Sequence, residues 1–195
     1  MVWFTEFLGE SHIVSYGENL EKQARARTTK LSRAREDEAS KLKNIPRQTT
    51  INRDVWRHEA QVTGLTPDVR LPYTVISRRE DGQTVSSGVF SLACNPPPDT
   101  PVKILLTSDH QLKPMVAANL QKVVETVGRV DGVWFAGDLV NVSDRASEWF
   151  DDTRGISFFP GLQGRIMIFR QFTRGVKSSN MHLCLLPLVI MKSWA

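Results

Sequence analysis

Two acidic residues stand where strand-like runs give way to turns. The first lies in Thr107-Ser108-Asp109-His110-Gln111 and the second in Gly137-Asp138-Leu139-Val140-Asn141. Carboxylates delivered by neighbouring strands sit about one strand spacing apart, roughly 5 Å. Two anions that close repel unless one takes a proton or a cation lies between them. A divalent metal resolves the conflict: hard cations accept carboxylate oxygen, and zinc, iron or manganese also accept imidazole. The same residue types serve as turn formers and helix N-caps, so either aspartate alone has an ordinary structural explanation. The pair on successive strands is the more specific signal.

The surrounding pattern supplies those strands. Val102-Lys103-Ile104-Leu105-Leu106-Thr107 is a nearly continuous apolar run, as in a parallel strand buried on both faces. Leu112, Val116, Leu120, Val123 and Val127 then recur at helical spacing, and Gly128 falls where a helix ends. Val130 to Ala136 is a second apolar run. The segment reads as a β-α-β unit with a right-handed crossover. Both aspartates would emerge at the carboxyl ends of its strands, where open α/β sheets build their sites.

Cys94-Asn95-Pro96-Pro97-Pro98-Asp99-Thr100-Pro101 precedes this unit. Its prolines fix φ and remove donors, so neither a helix nor a central strand passes through. We read residues 96–101 as a stiff linker with a domain on each side. The part before it is rich in β-formers: Val2–Thr5, His12–Gly17, an alternating Glu59–Leu65, Leu71–Ser77 and Val85–Leu92. Turn compositions fall at Gly9-Glu10-Ser11, Thr66-Pro67-Asp68 and Asp81-Gly82. These short strands suggest a small β-sandwich over residues 1–95. A charged insert at about 19–53 interrupts it, and Leu20–Lys43 within that insert allows a polar helix with few apolar positions.

The 195 residues include 41% hydrophobic and 24% charged side chains, a balance that excludes wholesale disorder. Two cysteines cannot complete a four-thiolate zinc site, and a single disulfide leaves the compartment open. The formal charge of +4 is carried mostly between Lys22 and Arg57, where acidic residues are interleaved. That reads as a solvated segment, and no nucleic-acid motif accompanies it. Met181–Met191 is too short for a bilayer and contains Pro187. The opening MVWFTEFLGES lacks a secretory signal pattern. Compartment and oligomeric state are not fixed by these features.

The aspartate pattern resembles the calcineurin-like metallophosphoesterase superfamily, in which one strand ends in Asp-x-His and the next in Gly-Asp. The first part is similar to the fibronectin-III-like domain that precedes the catalytic domain of purple acid phosphatases. The residues that carry this are His58 to Pro67, Tyr73-Thr74-Val75 and Val89-Phe90-Ser91-Leu92, followed by the short loop into Val102-Lys103-Ile104-Leu105-Leu106. The resemblance implies an α+β chain of two parts: an N-terminal β-sandwich, then the first β-α-β portion of an α/β metallophosphoesterase sandwich over 102–165. It implies a hydrolase of phosphate esters with two metal ions, divalent or mixed-valence, such as iron, zinc or manganese. Asp109 matches the first metal-ligating aspartate and Asp138 the bridging one, with Gly137 turning the backbone beside them.

The departures are specific. Gln111 stands where Asp-x-His has its histidine, and offers at most a carbonyl oxygen. His110, one place early, is a further candidate ligand, a substrate-contacting or supporting residue, or simply a surface residue. Asn141 stands where purple acid phosphatases place a tyrosine three residues after the bridging aspartate, and it too is a substrate-contacting or supporting candidate. No Gly-Asn-His triplet or Gly-His-x-His ending occurs, and beyond His110 the chain has His182 alone. The resemblance stops near Gly164-Arg165, as a frameshift, alternative splice or misannotated gene end would produce, leaving 166–195 unassigned. Asp109, Asp138 and Gln111 supply at most three ligands, fewer than two ions normally share. The reading is therefore a metallophosphoesterase whose site is incomplete here. Its rival is a catalytically inactive chain acting as a binding or structural module. No nucleic-acid partner and no membrane span are expected.

Overall fold

Alternation of side chains builds the first unit. In β1 (Val2–Thr5) Trp3 and Thr5 point inward, and in β2 (Ser11–Tyr16) so do His12, Val14 and Tyr16. β3 (Lys22–Lys30) places Ala24, Ala26 and Thr28 on its covered side and Gln23, Arg25 and Arg27 outward. The structure, a computed structural model, describes residues 1–42, 50–67, 69–94 and 96–162, and the backbone of Leu188–Ile190. Among the described residues, 20–42 is thus not a polar helix. Its first part is an extended strand whose small inward residues gave a weak apolar signal, while period-two alternation with long cations was the informative one.

The described residues form two compact units. The first takes in Met1–Ser32, Asp54–Val102 and the short strand at Leu188–Ile190. After β3 come β4 (Arg35–Glu36) and β5 (Ile51–Asn52), which belong to the second unit, then β6 (Trp56–Ala60), β7 (Arg70–Arg78), β8 (Thr84–Ser86) and β9 (Phe90–Ala93). The first unit's sheet runs β1-β6-β3-β2-β7-β8, all antiparallel, with β9 also on β7. β12 (Leu188–Ile190) adds to β1 in parallel. The first half of β3 pairs with β2 (Val14↔Ala24) and the second half with β6 (Thr28↔His58), so the sheet curls along β3. This curled, mainly antiparallel sheet is consistent with a β-sandwich domain. Trp3, Val14, Tyr16, Ala60, Tyr73, Val75 and Leu92 form its core.

Two strand expectations shift. The alternating segment Glu59–Leu65 is a strand only through Ala60. Val85–Leu92 is two strands broken around Ser87, whose hydroxyl accepts from the Val75 amide at 3.1 Å and bonds the Thr74 hydroxyl at 3.1 Å. A side chain that meets backbone donors locally competes with the ladder.

In the second unit, β10 (Ile104–Thr107), α1 (Val116–Val127) and β11 (Gly132–Phe135) form a β-α-β unit, with Ile104↔Gly132 and Thr107↔Phe135 in parallel register. Gly128 ends α1 at φ 76°, its amide donating to the Val124 carbonyl. Two short helices follow, α2 (Ala146–Phe150) and α3 (Phe158–Leu162). Leu120, Phe158 and Leu162 make the core, with Leu105, Val116 and Phe135 packed against it. β10 is not buried on both faces: Leu106 and Trp134 are 68% and 67% exposed, so the two-stranded sheet is covered on one side. Residues 96–101 hold no helix or strand. No helix among the described residues is long and apolar enough to cross a membrane. Tail residues 163–187 and 191–195, including His182 and Cys184, lie outside the described residues.

Candidate metal centre

Both aspartates leave parallel neighbouring strands at their carboxyl ends, and the loops they open are tied together. The Asp109 amide donates to the Gly137 carbonyl at 3.4 Å and the Gln111 amide to the Asp138 carbonyl at 3.1 Å. Just before them, the Ala136 amide donates to the Thr107 carbonyl at 2.9 Å. The ladder of β10 and β11 therefore continues past the strands into the turns, which holds the two aspartate backbones side by side.

The turns are sharp. Asp109, Gln111, Leu112 and Asp138 have φ of 57°, 33°, 58° and 53°, and Gly137 has φ 124°. Left-handed backbone is costly for residues with a Cβ, least so for Asp and Asn. Non-glycine positive φ persists where surrounding structure over-determines it, and it clusters at functional loops. Of the six non-glycine positive-φ residues described, these four lie on this one edge. Asp109 also accepts a hydrogen bond from the Ser108 hydroxyl at 2.5 Å.

Asn141 joins the same edge, its side-chain amide donating to the Gln111 carbonyl at 3.3 Å. His110 does not stay at the surface. It is 5% exposed, its Nε2 is 3.1 Å from the Thr107 hydroxyl, and its ring meets Phe135 edge-on at 5.2 Å and Phe158 at 5.8 Å. The surface reading of His110 is corrected by its aromatic surroundings. Burial pushes its pKa below the ordinary value, so the ring is held neutral.

An ionic cluster supports the Asn141 turn from behind, and sequence reasoning missed it. Glu148 Oε2 accepts from the amides of Asn141 at 2.7 Å and Val142 at 3.0 Å. Arg145 binds the other Glu148 oxygen at 2.6 Å and grips Asp37 with two nitrogens at 2.8–3.3 Å. That pairing holds the Asp37 carboxyl below its usual range. Beside it, Arg53 forks onto Asp151 at 2.8 and 2.9 Å and binds Glu36 at 2.9 Å. Glu36 is fully buried and also accepts from the Ser147 amide and hydroxyl. Burial pushes its pKa up against those hydrogen bonds. Part of the run read as solvated charge is thus an ion-paired strap. Two charged runs supply it, Glu36-Asp37 and Arg145 to Arg154, and nothing local in the sequence pairs them. A cleft of about 210 Å³ opens here, lined by Lys41, Asn141, Arg145, Glu148, Asp152 and Arg154. Its two arginines are each tied to a lining carboxylate.

Among the described residues no three His, Cys, Asp or Glu side chains gather in a way that could hold a metal ion. The residues of these two turns carry hard oxygen donors: the carboxylates of Asp109 and Asp138 and the side-chain amides of Gln111 and Asn141. That chemistry fits part of the coordination of one hard divalent cation. It does not fit a two-metal centre, which needs further ligands that the described residues lack.

No protein-family model matches the chain, and no curated protein matches it. Among solved structures it is similar to a purple acid phosphatase isolated from yellow lupin (Lupinus luteus) seeds, with 16% sequence identity and a TM-score of 0.51. The likeness covers 92% of this chain and 29% of that one, so the chain spans less than a third of its neighbour's length. At that identity the likeness is one of fold.

Proposed function

We propose that this chain carries the first part of a metal-dependent phosphoesterase site, with Asp109 and Asp138 as ligands to a shared cation. The observation that supports it is the pair of positive-φ aspartates on the cross-tied loops after β10 and β11, in a fold similar to that of a purple acid phosphatase. In this reading residues 1–95 are a fibronectin-III-like domain interrupted by the insert at about 19–53, part of which belongs to the second unit, and 96–101 are a linker. Residues 102–165 are then the opening β-α-β portion of a metallophosphoesterase sandwich.

A bound divalent ion would supply Lewis acidity and an acidified water for attack on a phosphate ester. The chain's own contribution is positional. The paired turns hold the Asp109 and Asp138 backbones side by side at one sheet edge, and Gln111 and Asn141 lie in the same two loops. Glu148 fixes the Asn141 turn, and His110 braces the Asp109 turn from within the aromatic core. No described residue is assigned the proton that a leaving group needs, and no two-ion step is assigned.

The second reading is a non-catalytic binding or structural module, favoured by the lack of a third acidic or imidazole ligand among the described residues. Metal analysis and p-nitrophenyl phosphate hydrolysis of the purified chain, with Asp138→Asn beside it, separate the two. Metal-dependent turnover lost in the variant supports the phosphoesterase. Neither metal retention nor turnover supports the module.

A further inference from the structure

The first unit buries two histidines against each other, and neither belongs to the metal site. His12 on β2 and His58 on β6 stack with ring centroids 3.6 Å apart and planes 18° from parallel. They are 7% and 0% exposed. β2 and β6 are not paired with each other; each pairs with a different half of β3. The stack therefore closes the curl of the sheet from inside.

The hydrogen bonds fix one protonation state. Thr5 gives its hydroxyl proton to the Phe7 carbonyl at 2.5 Å, so toward His58 Nε2, at 2.8 Å, it accepts. His58 therefore carries its proton on Nε2, and Nδ1 accepts from the Thr28 hydroxyl at 2.9 Å. His12 Nε2 faces the Leu8 carbonyl at 2.5 Å and must donate. Its Nδ1 then accepts from Ser77 at 2.7 Å, whose oxygen takes the Trp3 indole N–H at 3.2 Å. Two neutral rings satisfy this network completely. A second proton on either ring would turn an acceptor into a donor, and the Thr28 or Ser77 hydroxyl would have to turn its own proton away from the ring.

We propose that the His12–His58 stack is an acid-sensitive latch: neutral, it holds β2 and β6 together across the curl, and protonation releases them. The elements around it present hydroxyls and rings: Thr5 and Trp3 from β1, Thr28 from β3, Ser77 from β7 and Phe7 from the β1–β2 turn. One carboxylate reaches the pair, Glu80, whose charge favours protonated His12 and so opposes the closed state's preference. Burial dominates for both rings, and the neighbouring imidazole adds to it for His58, whose pKa is pushed from an ordinary 6.5 to about 3. A lowered folded-state value means that stability is full above about pH 6.5 and falls as pH drops from there toward 3. His58 alone lowers the folding equilibrium constant about 30-fold between pH 7.5 and 5.0 by linkage.

The test is hydrogen exchange of the full chain at pH 7.5 and 5.0, corrected for intrinsic rates, with ring-nitrogen NMR of the histidines. The latch predicts that protection of β1, β2 and β6 falls at least tenfold at pH 5.0 while the His12 and His58 rings keep their single tautomers at pH 7.5. In His58→Gln the pH dependence of β2 shrinks. Where that variant does not fold, the wild-type ring titration decides. Rings that titrate reversibly near pH 6.5 without loss of protection, or protection equal at both pH values, overturn the proposal.

Discussion

The two units bury polar side chains by opposite means. The first holds a neutral relay of hydroxyls and imidazoles around His12 and His58. The second holds a charged one, Glu36–Arg53–Asp151. Both meet the requirement that buried polar groups find partners, but they fail differently. A neutral relay is disturbed by adding a proton. An ion-paired one is disturbed by removing a partner, which strands a charge in a poorly solvating interior.

The largest effect should come from Arg53→Met. It leaves Glu36 and Asp151 facing each other without a counter-ion, and by analogy with other broken buried pairs it costs about 3–5 kcal/mol in urea denaturation. A cost below about 1 kcal/mol would show that the strap is not an energetic element. Next is the pH response of the first unit, roughly 2 kcal/mol lost between pH 7.5 and 5.0 from His58. Repeating the denaturation series in a His12→Gln, His58→Gln double variant should flatten that response.

Gly9→Ala should follow, at about 1–3 kcal/mol. Gly9 has φ 67°, and an added Cβ would meet the His12 ring at 2.8 Å and the Arg78 carbonyl at 2.5 Å. Thermal unfolding with normal stability in this variant would mean that the turn holding His12 is free to move. Smallest is Lys30→Gln. The Lys30–Asp54 pair is short at 2.6 Å, but its side chains are 48% and 62% exposed. A change under about 0.5 kcal/mol is expected, and a larger loss would erase the contrast between buried and exposed pairs.

Elements carrying their own periodicity were the legible ones. The 3.6-residue stripe through Leu120 and the apolar runs on either side gave the β-α-β unit, and hence the neighbouring aspartate turns. β3 was hidden because its inward residues, Ala24, Ala26 and Thr28, are small, and because two arginines alternate with them. The strap was hidden for a different reason. Glu36 meets Ser147, and Asp37 meets Arg145, more than a hundred positions away, and no local pattern announces such a pairing. His12 and His58 each look like an isolated histidine in a strand; only the curl of the sheet stacks them. The burial of His110 was hidden for a similar reason: the rings that bury it, Phe135 and Phe158, come from β11 and α3.

The most direct test of the proposed site is calorimetric titration of manganese(II) into the metal-free full chain, beside Asp109→Asn and Asp138→Asn. Asp109 and Asp138 sharing one ion predicts a single weak binding event in the unaltered protein that either substitution abolishes. Binding that survives both substitutions, or no binding in the unaltered protein, would contradict it.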